Sequence, residues 1–185
     1  MFRVNNHMQK NWYRLSLDIS LALTPQFREY ALNAACTQLN FGTIDRFEPE
    51  EVFDAQWLAQ VQQSWNLSFY RVLLFVREND QDPGAHVDHG QYSSAVNWCL
   101  GEDRRQMLWY QLNPGVSRIS PWFRYDQVTQ IDQCRIGSGP VLVRTDIPHS
   151  ISGGEDRRVC VSARLDPPQQ SWADTVARLR GLLYD

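Results

Sequence analysis

The chain has 185 residues, 43% of them hydrophobic, and a net charge of −3, which is enough for one sizeable core but short for two ordinary domains, so a single domain over 1–185 is expected. Its 18 basic residues are all Arg except Lys10 and are scattered rather than gathered in a stripe, which argues against general nucleic-acid binding. The sequence has no apolar window of about 18 residues and no basic-then-apolar leader, so a cytoplasmic protein without a membrane segment is expected.

In chain order, Thr24 before Pro25 is a helix start: a capping hydroxyl followed by a proline where a backbone donor is not needed. Phe27, Tyr30, Ala31, Ala34, Ala35 and Leu39 then recur in helical rhythm, predicting a helix through Asn40. A second helix is predicted over 49–65, where Val52, Phe53, Trp57, Leu58, Val61 and Trp65 are three and four apart. Both belong to a helical support region, 1–66, that lies against the outside of a sheet. From residue 69 the pattern changes to strands, at 69–78, 85–88, 94–100, 107–112, 128–136, 140–145, 149–152 and 157–165, separated by Gly, Pro, Asn and Asp turns. Eight short strands in about 100 residues predict a β-rich α+β fold whose core, 67–166, is a double-sheet jelly roll. Ser171 and Asp174 then stand in capping-box spacing ahead of Trp172, Val176, Leu179, Leu182 and Leu183, so a closing helix is expected within 169–183.

Within the strand region, His86-Val87-Asp88 carries chemistry. Residues two apart on a strand face the same way, so one imidazole and one carboxylate can grip the same ion. A second imidazole, His149, opens a later extended segment, nine residues before Arg158. Two imidazoles and a carboxylate are the set that holds one face of an Fe(II) octahedron and leaves the other open. Beyond it, Arg158, Cys160, Ser162 and Arg164 alternate with Val159, Val161, Ala163 and Leu165, which gives a strand with an apolar back and a polar face. His89 points away from Asp88 and is expected to be solvated or to support a ligand, and His7 has no such context.

In this order, His-x-Asp, a later His, and an Arg nine residues on, the chain resembles the Fe(II)- and 2-oxoglutarate-dependent dioxygenases. The resemblance spans about residues 67 to 166 and implies a double-stranded β-helix, cupin-like, with Fe(II) as cofactor and 2-oxoglutarate as cosubstrate. It implies His86, Asp88 and His149 as metal ligands and Arg158 as the anchor of the distal carboxylate. Arg158 is placed ahead of Arg164 because small Cys160 and Ser162 beside it leave room for a bidentate carboxylate, while Arg164 fits branches with a longer spacing. Asn97 and Tyr110 lie on strands expected to border the pocket and are candidate cosubstrate contacts, as is Ser162.

The family couples decarboxylation of 2-oxoglutarate, using molecular oxygen, to hydroxylation of a C–H bond, and Asp88 speaks against the halogenase branch, which lacks the carboxylate. A small molecule or a peptide side chain is the expected substrate, met by the loops 90–93 and 113–127 with Tyr92, Arg118, Trp122, Phe123 and Arg124. Cys36, Cys99, Cys134 and Cys160 are widely spaced, so neither a zinc knuckle nor a disulfide framework is expected, and buried thiols in a reducing compartment also suit ferrous iron. The alternative reading is a cupin-like barrel that binds a metal or anion without turnover.

Overall fold

The computed structural model describes residues 10–19, 22–34, 43–77, 84–88, 93–101, 105–152, 154, 157–167 and 170–184. The eight strands expected from the sequence are all present: β3 (Ser68–Arg77), β4 (Ala85–His86), β5 (Ser94–Cys99), β6 (Gln106–Leu112), β8 (Val128–Arg135), β9 (Val141–Arg144), β10 (His149–Ile151) and β11 (Arg158–Asp166), with β4 stopping two residues short of the expected Asp88. Four further strands were not expected: β1 (Trp12–Leu15), β2 (Thr43–Phe47), β7 (Trp122–Phe123) and β12 (Leu183–Tyr184). They form two antiparallel sheets, ordered β12-β1-β9-β5-β11-β3-β2 and β7-β4-β10-β6-β8. The chain passes back and forth between the sheets, with β3, β5, β9 and β11 in the larger and β4, β6, β8 and β10 in the smaller, which is the winding of a double-stranded β-helix.

The unexpected strands extend sheet edges. β1 pairs with β9 and β12, β2 with β3, and β7 with β4. The N-terminal region therefore supplies strands as well as helices. Its first helix, α1 (Pro25–Asn33), starts as expected, with Thr24 Oγ1 accepting from Phe27 N at 3.3 Å. It ends at Asn33, because Ala34 (φ −58°, ψ 122°) has already left the helical conformation, so the helix expected to run on towards Asn40 stops there; 35–40 lie outside the described residues.

The helix expected over 49–65 is two helices, α2 (Pro49–Val52) and α3 (Ala55–Trp65). At the break Phe53 is extended and bridges to Leu23, Asp54 N donates to Ala22 O, and the Asp54 side chain accepts from Trp57 N at 3.0 Å, capping a fresh helix. The closing helix α4 (Trp172–Leu179) is capped by Ser171, then tightens through a turn at 180–182 into β12, so it ends earlier than its apolar rhythm implies. None of the described helices is long and apolar enough to cross a membrane.

The larger sheet has two unlike faces. Val159, Val161, Ala163 and Leu165 join Val72, Leu74, Val76, Val96 and Trp98 in the core cluster that includes Phe27, Ala31, Val61 and Leu179 of the helices. On the other face Cys160 packs with Cys99, Val141 and Val143 against Met107, Trp109 and Cys134 of the smaller sheet. The metal-ligand candidates lie in the gap between the sheets.

Candidate metal centre

Strand pairing brings the ligands together. His86 on β4 stands directly opposite His149 on β10, and His149 stands opposite Trp109 on β6. The two imidazole centroids are 4.6 Å apart. Asp88 follows just past the end of β4, its N–H donating to Thr145 O at 3.2 Å, so it lies beside the segment that leads into β10. One ligand atom from each of the three side chains lies within 4.8 Å of the other two.

The rings are oriented by their own backbone. His86 Nδ1 is 3.1 Å from Gly84 O and His149 Nδ1 is 3.0 Å from Ile147 O, two residues back in both cases. A carbonyl can only accept, so each Nδ1 carries the proton and each Nε2 is left with a lone pair, the tautomer a metal ligand needs. Both lone pairs face one carboxylate oxygen: Asp88 Oδ1 is 3.8 Å from His86 Nε2 and 3.7 Å from His149 Nε2. Neighbouring ligands on an octahedral ion with bonds of about 2.1 Å stand about 3 Å apart, so Asp88 has to approach each imidazole by less than an ångström, and the triad as a whole, within 4.8 Å, has to close by less than about 2 Å.

Charge state favours the same use. Burial, together with the neighbouring His149, holds the His86 pKa down to about 4, against the opposing pull of Gly84 O and Asp88, so the ring is neutral at pH 7. Burial raises the Asp88 pKa, but Arg164, then His149 and His86, outweigh it and bring it to about 2. Arg164 Nη1 is 2.6 Å from Asp88 Oδ2, leaving Oδ1 turned to the histidines. The ladder between β11 and β3 shifts register just after Arg164, an irregularity of the kind that re-aims a side chain.

Arg158 is buried at the other end of the same face, opposite Arg77 on β3. Ser162, between the two arginines of β11, is buried and pairs with Asn97 on β5. Asn97 Oδ1 is buried without a hydrogen-bond partner among the described residues, which leaves it available to a ligand between the sheets. With two imidazoles and one carboxylate, this donor set fits Fe(II), and the buried Arg, Ser and Asn groups on the facing sheet fit a small dicarboxylate.

Tyr110 does not join them. Its hydroxyl is 2.9 Å from Ser150 Oγ, and its ring packs with Ala85, Phe123 and Val128, neighbours of the ligand residues that point the opposite way. A register shift between Trp109 and Tyr110 separates the two aromatics: Trp109 faces the inter-sheet core, its Nε1 donating to Arg144 O at 2.8 Å, and Tyr110 the outer side of the smaller sheet. Tyr110 also lines a cleft of about 720 Å³ with Arg118, Asp132, Arg144 and Pro148, which none of the three ligand residues lines. Arg157 is exposed and donates to Leu32 O in the last turn of α1 and to Ala34 O just beyond it. His7, His89 and Tyr92 lie outside the described residues.

Of two further neighbours of the centre, Arg77 was not anticipated and Trp122 was expected only as part of the substrate-facing loop 113–127. Arg77 is buried and acts on His86, helping to keep it unprotonated. It stands in phase with Arg71, Leu73 and Phe75 along β3, so alternation could have placed it on the inner face. Trp122 lies with its ring 4.9 Å from that of His86. Only the pairing of a two-residue edge strand puts it there, and two residues carry no periodicity.

Among solved structures the chain is similar to a prolyl-4-hydroxylase of Pseudomonas putida, at 14% identity and a TM-score of 0.52 over 85% of this chain and 92% of that one. It also aligns with the epimerase SnoN, crystallised with Fe3+, α-ketoglutarate and nogalamycin RO, at 12% identity and a TM-score of 0.46 over 84% of this chain and 78% of that one. No protein-family description and no curated protein matches the sequence. By its fold the chain is a double-stranded β-helix like that of the prolyl-4-hydroxylase, and it carries a His-Asp-His cluster between its sheets. At 14% identity the likeness is one of fold.

Proposed function

We propose that the protein is a non-haem Fe(II)- and 2-oxoglutarate-dependent oxygenase that hydroxylates a C–H bond of a small molecule or of an amino-acid or peptide side chain. The observation that carries this reading is the convergence of His86, His149 and Asp88, with both imidazoles locked in the Nε2-accepting tautomer. His86, Asp88 and His149 would hold the iron. When bound, iron and 2-oxoglutarate supply activation of molecular oxygen and the oxidising power for the C–H bond.

The chain's own residues have three tasks. Arg164 fixes Asp88 so that Oδ1 rather than Oδ2 faces the imidazoles. Arg158 binds the distal carboxylate of the cosubstrate, with Ser162 and Asn97 lining the space between it and the metal ligands. Met107, Trp109, Val141 and Val143 form an apolar cluster between the same sheets, and the low dielectric of such packing strengthens charge-assisted contacts. Tyr110 has no part in binding. Cys99, Cys134 and Cys160 are buried free thiols, and burial pushes the Cys134 thiol up to about 11.

The test is substrate-independent turnover: conversion of 2-oxoglutarate to succinate with Fe(II), ascorbate and oxygen. Wild-type protein is expected to release succinate slowly, and His149→Ala to release none while keeping its unfolding transition. No succinate from iron-saturated wild type, or equal amounts from His149→Ala, would contradict the proposal and favour a barrel that binds without turnover.

A further inference from the structure

We infer that Trp122 is an aromatic wall of the substrate cleft and that the substrate presents an uncharged aromatic ring to it, an inference that rests on the oxygenase reading above. In the β4–β7 ladder, Val87 N donates to Pro121 O at 2.8 Å, which makes Val87 and Pro121 the hydrogen-bonded pair. The next pair, His86 and Trp122, is therefore of the non-hydrogen-bonded kind, in which facing side chains come closest. One side of the His86 ring accordingly meets His149 and another meets the indole, tilted by 32°.

Nothing in the packing of β7 requires Trp122 to be open. Its neighbour Phe123, on the opposite face, is 7% exposed in the cluster with Ala85, Tyr110 and Val128, whereas Trp122 is 47% exposed. The strand thus spends one residue on the core and holds the other, a large apolar ring, beside a metal ligand.

The wall is rigid. Asn113 N donates to Gln127 O at 2.9 Å, Thr129 Oγ1 donates to Asn113 Oδ1 at 2.7 Å, Arg124 N donates to Gln127 Oε1 at 2.9 Å, and Trp122 N donates to Ser120 Oγ at 3.1 Å. The segment 113–127 is closed at its ends and tied in its middle, so a ligand stacking on Trp122 need not pay to order it.

Charge selects the ligand. The negative face of an indole repels an anion. A cation would be drawn to that face, but Arg77 acts on His86 just behind it and the metal would add positive charge on the same side. An uncharged ring is left, and stacked or edge-on aromatic contact with its positive edge against the indole face is the favourable arrangement.

The test uses Co(II)-loaded protein and N-acetylphenylalaninamide as probe, with N-acetylleucinamide as the open-chain comparison. Co(II) is paramagnetic, so it speeds relaxation of probe protons held near the metal. Ring protons should relax faster with Co(II)-loaded wild type than with metal-free protein. Trp122→Ala should weaken binding by about tenfold or more and Trp122→Phe by much less, with the Co(II) visible spectrum the same in all three. Equal binding of the leucine probe, or wild-type affinity in Trp122→Ala, would overturn the inference while leaving the metal centre standing. A wild type that gives no Co(II) spectrum would overturn the oxygenase reading and the inference with it.

Discussion

Along β11, Val159, Val161, Ala163 and Leu165 turn to the helices, and Arg158, Cys160, Ser162 and Arg164 turn to the smaller sheet; all eight are buried. Burial is equal, yet the demands differ. The outer face needs only volume and apolar surface, supplied by residues that any β-sandwich would use. The inner face buries Arg158 and Arg164, with Arg77 across the ladder, and buried charge is costly unless it meets opposite charge. Arg164 meets it at Asp88. A fold does not carry such a face for stability alone, so the comparison locates stability on one side of a strand and chemistry on the other.

The largest effect should come from the outer face. Trp98 is fully buried there, against Phe53, and Trp98→Ala is expected to cost about 3–5 kcal/mol in urea unfolding. Fe(II) affinity of the protein that stays folded should be unchanged. A large loss of affinity would show that the two faces are not separable.

The inner face should instead show itself in pH. The folded-state pKa of His86, about 4, lies below its ordinary value of 6.5, so its contribution is fully present above pH 6.5 and is lost as pH falls towards 4. Asp88, at about 2 against 3.8, adds a second loss as pH falls from about 4 towards 2. Metal-free protein should lose about 2–3 kcal/mol of unfolding free energy between pH 6.5 and 4 through His86. His86→Gln, measured at the same pH values, should flatten that part of the curve, and an unchanged slope would refute the assignment.

The two arginines of the inner face should separate by ligand. Arg164→Ala frees Asp88 and is expected to weaken Fe(II) binding by about 10- to 100-fold, as loss of a group that orients a ligand does. Arg158→Ala should leave Fe(II) binding intact and raise the 2-oxoglutarate concentration needed for turnover. Calorimetric titration with each ligand distinguishes them, and the reverse pattern would exchange the roles. The smallest effect belongs to Tyr110→Phe, which removes one hydrogen bond to Ser150 Oγ and should cost no more than about 1.5 kcal/mol, with 2-oxoglutarate affinity unaltered.

What could be read in the sequence follows the same division. The eight core strands were legible because Gly, Pro, Asn and Asp turns separate them and, in β11, because apolar and polar residues alternate; the gathering of His86, Asp88 and His149 was legible from a two-residue spacing and a later His, although Asp88 lies just past the end of β4. The edge strands were not: β7 and β12 are two residues each and are strands only by virtue of their partners. The break at Phe53 and Asp54 was hidden because the apolar rhythm runs unbroken across it and the stop comes from a bridge to Leu23. Tyr110 was misassigned because a register shift beside Trp109 decides which way it turns. The link between Arg164 and Asp88 joins residues far apart in the chain, and only the packing of the two sheets reveals it.

The most direct measurement is an anaerobic titration of the protein with Fe(II) and 2-oxoglutarate, followed by visible spectroscopy. Wild type should develop a weak charge-transfer band at one equivalent of each, Tyr110→Phe should keep it, and Asp88→Ala should lose it. Absence of the band at saturating Fe(II) and 2-oxoglutarate, or an undiminished band in Asp88→Ala, would contradict the claim that His86, Asp88 and His149 hold an iron to which the cosubstrate binds.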